Sequence, residues 1–559
     1  MTQELTKAQI GRIAIRMFKT TADALSFSGS YKPNGQSGKP LETALRTLSP
    51  EIYGSMNDMR RIEIEGIVYV IDRLPRGIES ASRIVLTAQE DFLDTSFEII
   101  IPSKRRRTSY RVCENEMCFI ITRGQSEIYD IITHLTFLNI EAKKIARQMK
   151  DESCELTKEW RRFEEHVRDK DNLSGKMLDQ ALWNLSIILG VSYKSIKTTY
   201  DALEKSRKEK NANSGLFEII YSLGKRADAE INKQGDELLV YFTPSLMDII
   251  GRHSYSRNWA ANVKKHLIEK GYIGRPVHLI SANMHSVRNL LYGYAALKDS
   301  EEFPTDFYSS IKFMRNKEKE IASFALDNGF SEIIDHSGSH IDCQLIDTLY
   351  LDKIPLSPEL AIDADYIVKE KPVLLVMDYA FGTQAFEVLE EILAPFETPE
   401  GTRFVGINSI SVMGKAGILT GNKGDIMLAT AHVLEGTTHT YPLKNALTIN
   451  DFDENISVFT GPMVTVFGTS LQNRDVLEIF KSTSWKAIGL EMEGGHYQRA
   501  ISAAVLKGYI PESIKVMYAY YASDNPLVSG QTLASGSMGD EGIRPTYMIT
   551  KIILEKILG

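Results

Sequence analysis

The chain has 559 residues, of which 43% are hydrophobic and 25% charged, with a formal net charge of -8 and a pI near 5.9. That length exceeds what one compact core supports, so two or three domains are expected, and the acidic balance argues against a general binder of nucleic-acid polymers. Four scattered cysteines, Cys113, Cys118, Cys154 and Cys343, fit a reducing cytoplasm rather than a disulfide framework or a zinc site.

Met1 to Arg12 contains no apolar run of signal-peptide length, and no later run approaches the roughly 18 residues of a membrane span, so a cytoplasmic protein free of membrane is expected. Residues 1–215 read as mainly helical. Ile10, Ile13, Met17 and Phe18 mark a first amphipathic helix, and Tyr129 to Met149 begins a long helical section. Phe97 to Pro102 and Tyr110 to Ile121 look like strands, whereas Ile62 to Leu74 and Ser82 to Gln89 fit helix or strand. The basic run Lys104-Arg105-Arg106-Arg107 with Arg111 is either a solvated face or an anion contact. Glu204 to Gly215 is polar and ends in turn formers, which suggests a linker.

From about residue 216 onward short apolar strands alternate with helices, the signature of a parallel sheet. Glu237 to Thr243 is its first clear strand, and Pro276 to Asn283 enters a helix through a turn carrying Asn283, His285 and Ser286. Pro372 to Asp378 runs into Tyr-Ala-Phe-Gly382 and a helix, and Arg403 to Ile410 runs into a glycine-rich turn from Val412 to Asp425. Ala487 to His496 and Val516 to Leu527 are two strands tipped with acids, and a crossover helix between them would bring them side by side. Tyr547 to Leu558 is a terminal helix.

Gly414, Gly417, Gly421 and Gly424 allow close backbone approach to a ligand, where Lys415 could meet an anion, or they form a plain tight turn. No Walker A motif, GxGxxG or GxSxG is present, and His336 and His340 lack a third metal ligand, so neither metal nor cofactor is expected. In an extended Leu490-Glu-Met-Glu, Glu491 and Glu493 share one face and Met492 takes the other, an alternation that fails if a helix starts at Gly494. Asp524 ends an apolar strand, where desolvation raises a carboxyl pKa towards the value a neutral-pH proton donor requires. Read alone, the same residues also fit a turn with surface carboxylates.

Gly489-Leu-Glu-Met-Glu-Gly resembles the acid motif of the nucleoside phosphorylase and nucleosidase superfamily, and Ala522-Ser-Asp-Asn-Pro-Leu resembles its second motif, in the same order. The Ser-Asp-x-Pro-Leu form is most similar to that of the bacterial AMP nucleosidases. Val373 to Leu393, Gly406 to His432 and Phe459 to Glu478 resemble further segments of that family, and Pro276 to Tyr294 more loosely its first strand and helix. The resemblance implies a three-layer α/β/α nucleoside phosphorylase-like domain over 216–559, with its core at 272–559, behind a mainly α-helical accessory or regulatory region. It also implies a homo-oligomer acting on a purine nucleotide or nucleoside, hydrolysing the N-glycosidic bond as AMP nucleosidases do.

Carried over by position, Glu493, with Glu491 beside it, would bind the ribose hydroxyls, Met492 would pack on the sugar, Asp524 would protonate purine N7 and Ser523 would orient Asp524. Gly382, Gly414, Lys415 and Asn283 fall in the turns that line the substrate in that family. Val412 and Lys415 stand where phosphorylases carry a phosphate-binding arginine and serine, which favours water over phosphate. The alternatives are phosphorolysis and a catalytically silent purine-nucleotide sensor.

Overall fold

Central strands such as Val277–Ser281 and Val373–Met377 are buried at every position, as strands covered on both faces must be, and the chain forms two compact units. The computed structural model describes residues 4–89, 92, 94–169, 173–437, 439–528 and 539–559. One unit comprises Met1–Arg252 with Gly468–Val476, and the other comprises His253–Phe467 with Leu477–Gly559. No helix among the described residues is long and apolar enough to cross a membrane.

Helices dominate the first unit, but they surround a six-stranded sheet. Arg83–Thr87 lies at its centre, parallel to Leu239–Phe242 on one side and to Glu116–Ile120 on the other. The strand at 239–242 therefore belongs to this sheet, and the chain divides at 252/253 rather than at 215/216. The expected linker is instead the last part of the helix Tyr193–Lys210: Ile196 and Leu203 are buried, Glu204 pairs with Arg207 at 2.7 Å, and Asn211 ends the helix at φ 50°. Its polar residues form a solvated helical face, which composition alone does not separate from a linker.

The basic run is neither a solvated face nor an open anion site throughout. Arg105 forks onto Asp130 at 3.0 and 2.9 Å, and Arg107, 1% exposed, reaches Asp130 at 2.6 Å and Glu127 at 3.3 Å. The two acids lie on the buried helix Gln125–Gln148, so alternate arginines of an apparently polar run serve as interior partners. In the first helix, Lys7–Ser28, Phe18 is buried as expected, whereas Ile10, Ile13 and Met17 are exposed and the small residues Ala8, Gly11 and Ala14 pack inward.

The second unit is a three-layer α/β/α structure around a ten-stranded mixed sheet. Val373–Met377 shows how the layers arise: Val373, Leu375 and Met377 enter one core, and Leu374 and Val376 enter the other. The first core is covered by helices Ser254–Glu269, Gln384–Leu393 and Gly494–Leu506. Ser286–Leu297 and Ile543–Leu558 cover the second. The long strand Ile407–Ile418 runs parallel to Val277–Ser281 and to Lys515–Asp524.

The two acid-tipped strands are not side by side. Ile407–Ile418 lies between them, with Gly417 opposite Leu490 on one side and opposite Asp524, across a bulge, on the other. The first half of the expected glycine-rich turn is thus strand, and Gly414, Lys415 and Gly417 are sheet residues. Absence of a side chain at Gly417 suits a position flanked on both sides at a bulge.

Candidate functional site

The sequence-predicted site residues follow strands of the second unit that flank Ile407–Ile418 or lie one strand beyond it, with Gly489–Glu491 antiparallel to that strand and Val277–Ser281 and Lys515–Asp524 parallel to it. Val277–Ser281 leads to Asn283, Val373–Met377 to Gly382, Gly489–Glu491 to Glu493, and Lys515 to Asp524 is itself the last strand.

Asp524 is 2% exposed. Ser523 Oγ donates to its Oδ1 at 2.6 Å, while Oδ2 is buried with no hydrogen-bond partner among the described residues. Burial raises its pKa to about 6, against the opposing effects of the Ser523 hydroxyl and the Lys415 and Lys423 charges. Because Oδ1 already accepts a hydrogen bond, the proton belongs on Oδ2, which makes that oxygen the donor. Lys415 itself is exposed.

The helix after the other acids starts at Gly494, so the strand alternation stops at Glu491 and Glu493 becomes the helix N-cap. Glu491 is buried, and its Oε1 faces the Thr465 hydroxyl and, at 3.3 Å, His432 Nδ1. Oε2 accepts the backbone N–H groups of Glu493, at 2.6 Å, and of Gly494. Burial alone would raise the Glu491 pKa, but His432, Thr465 and the Gly494 N–H hold it below the ordinary value. Met492 and Glu493 are half-buried.

Glu493 Oε1 accepts the N–H of Gly382 at 2.9 Å, which joins two turns 111 residues apart in sequence. Gly382 adopts φ 55°, a left-handed conformation that favours glycine. Asn283 Oδ1 accepts the N–H groups of His285 at 3.2 Å and Ser286 at 2.8 Å, fixing the turn into the helix that starts at Ser286. The Tyr379 ring lies against Gly414, where an added Cβ would stand 3.6 Å from its edge.

Thr465, Tyr379 and the Ser281–Tyr497 pair, 3.1 Å between hydroxyls, join the neighbourhood without a sequence signal, and His432, which from sequence fits a packed or a capping side chain, faces Glu491. His336 and His340 lie beside a turn in which Asp335 accepts from Ser337 at 2.7 Å and Asp342 accepts the Asp335 N–H at 2.8 Å. Among the described residues no group of three or more His, Cys, Asp or Glu side chains is arranged to hold a metal ion. What the arrangement offers is one protonatable donor at Asp524 and, at Glu493, a half-buried carboxylate held at its backbone by Glu491 and at its oxygen by the Gly382 N–H.

Among solved structures, the chain is similar to the Campylobacter jejuni 5'-methylthioadenosine/S-adenosyl homocysteine nucleosidase at 13% identity, over 51% of this chain and 100% of that one, with a TM-score of 0.30. A Helicobacter pylori futalosine hydrolase mutant matches at 11% identity over 51% and 98%, with a TM-score of 0.28. The Helicobacter pylori methylthioadenosine nucleosidase matches at 12% over 51% and 99%, with a TM-score of 0.30. No curated protein matches the sequence. A protein family described as of unknown function, DUF6909, matches residues 39–304 and 299–559, and the chain belongs to that family.

Proposed function

We propose that this protein cleaves the N-glycosidic bond of a purine nucleoside or nucleotide with water, releasing the free base and ribose or ribose phosphate. The observation that carries the reading is Asp524: a buried carboxyl with its pKa raised to about 6, one oxygen held by Ser523 and the other free to donate. Departure of a purine leaves negative charge on the ring, and a proton placed at N7 neutralises it as the sugar acquires oxocarbenium character. General acid catalysis of this kind is worth roughly 10² to 10⁴ in rate.

Glu493 takes the ribose 2′ and 3′ hydroxyls, with Met492 against the sugar and the Gly382 turn fixing the carboxylate. AMP is the substrate we favour, from the Ser-Asp-x-Pro-Leu form of the second motif, and the first unit serves as an accessory or regulatory region of a homo-oligomer. Water is favoured over phosphate because Val412, a buried strand residue, stands where phosphorylases carry the bidentate arginine, and Lys415 stands where they carry the serine.

The test is to incubate the protein with AMP, adenosine and inosine, with and without phosphate, and to measure free base. Base release independent of phosphate is expected. Strict phosphate dependence would replace hydrolysis with phosphorolysis, and binding of AMP without turnover would reduce the protein to a sensor.

A further inference from the structure

We infer that Glu491, His432 and Thr465 form a positioning unit that fixes the turn carrying Met492 and Glu493, and that Glu491 is not a sugar ligand. The inference rests on the proposed placement of ribose at Glu493. The hydrogen-bond pattern supports it, because every acceptor site facing the turn is in use. Glu491 Oε2 accepts two successive N–H groups, those of Glu493 and Gly494. Thr465 Oγ accepts the next, that of Gly495, at 3.0 Å, while its proton goes to Glu491 Oε1. Three consecutive amides, those of the N-cap Glu493 and of the buried Gly494 and Gly495 that open the helix Gly494–Leu506, are satisfied from one side.

Packing enforces the same geometry. A Cβ on Gly494 would collide with the His432 ring and the Tyr520 hydroxyl, and one on Gly495 would collide with Thr465. His432 is fully buried and stands edge-on to the Tyr518 ring, with centroids 4.8 Å apart, so its Nδ1 is held towards Glu491. Donation to a carboxylate requires the proton on Nδ1, which sets the tautomer. Glu493 is consequently held at its backbone by Glu491 and at its carboxylate by the Gly382 N–H. Both restraints act on the residue proposed to touch the sugar, and errors of about 1 Å in such placement cost on the order of 10²-fold in rate.

The test combines two readouts on Glu491→Gln, whose amide nitrogen cannot accept a hydrogen bond. Hydrogen exchange of the amides at 493–495 should quicken by about tenfold or more as the turn loosens. For base release, kcat/KM should fall by roughly 10²-fold in the otherwise native protein and not fall further in a Glu493→Ala background. Unchanged exchange overturns the inference, and so does an equal loss in both backgrounds, which would mean that Glu491 touches the substrate itself. If the native protein releases no base from any substrate, the proposed function fails while the exchange result still decides the positioning role. Should Glu491→Gln not fold, Thr465→Val asks the same of the Gly495 amide, with Thr465→Ser expected to restore its protection.

Discussion

Two strands of one sheet end in buried carboxylates, and their surroundings drive them in opposite directions. At the end of Gly489–Glu491 the carboxylate accepts from a threonine, a histidine and two backbone amides, so the charged form is favoured despite burial. At the end of Lys515–Asp524 one serine is the only hydrogen-bond donor to the carboxyl among the described residues, and burial prevails. The residue type is nearly the same and the depth is similar, so the number of donors decides which carboxyl stays ionised and which can hold a proton. A fully hydrogen-bonded carboxylate suits a fixed structural element, whereas a sparsely bonded one suits proton transfer.

The largest effect is expected from removing the sparsely bonded acid. Asp524→Asn keeps the shape and the acceptor for Ser523 but has no acidic proton, and kcat/KM for base release should fall by about 10² to 10⁴-fold. Circular dichroism should show the fold unchanged. Activity within a few-fold of native would remove Asp524 from its role and leave the contrast between the strand ends without functional meaning.

Next in size is the pH dependence. The proton donor must be protonated in the free protein, and Asp524 has a pKa of about 6, so kcat/KM should decline above pH 6, roughly tenfold per unit well beyond it. A profile flat from pH 5 to 8 would show that this carboxyl does not supply the proton. Smaller again is the effect of losing a sugar contact: Glu493→Gln should lower kcat/KM for a ribonucleoside, and a 2′-deoxy substrate should lose less than the ribonucleoside does. Equal losses on the two sugars would place Glu493 away from the 2′ hydroxyl.

Much of this contrast was legible in the residues. The apolar run Val516 to Ala522 foretold a desolvated Asp524, because a strand buried on both faces reads as continuous hydrophobicity. Strands alternating with helices pointed to a parallel sheet, and the family resemblance implied three layers; the layers are present, but the sheet is mixed. The different fates of Glu491 and Glu493 were not legible, because their partners His432, Thr465 and Gly382 lie from 26 to 111 residues away in sequence and meet them only across the sheet. The insertion of Ile407–Ile418 between the two acid-tipped strands was hidden for a related reason: a crossover helix fixes direction, and it does not reveal which strand lies beside which. In the first unit the runs at 97–102, 110–121 and 239–242 were legible as strands, but their assembly into one six-stranded sheet was not, because the strands are 2 to 5 residues long and Leu239–Phe242 reaches its partner Arg83–Thr87 across more than 150 residues of mostly helical chain.

The smallest effect reads the same contrast as stability. Asp524 binds its proton more tightly in the folded chain than its ordinary value of 3.8 allows, so its contribution is fully present below that value and is lost as pH rises through about 6. Asp524→Asn removes the titration, and its stability relative to native should therefore increase by up to about 3 kcal/mol between pH 4 and pH 7, read from urea denaturation at the two pH values. Glu491 has the opposite sign: its folded pKa is depressed, so its contribution is present at neutral pH and disappears as pH falls through the folded value. Glu491→Gln should accordingly be less stable than native at pH 7, with the gap narrowing in acid. Two stability differences that diverge in opposite directions with pH would confirm that donor number, rather than depth, separates the two carboxyls. If both variants moved together, burial alone would govern both sites and the division between a proton donor and a positioning carboxylate would fall.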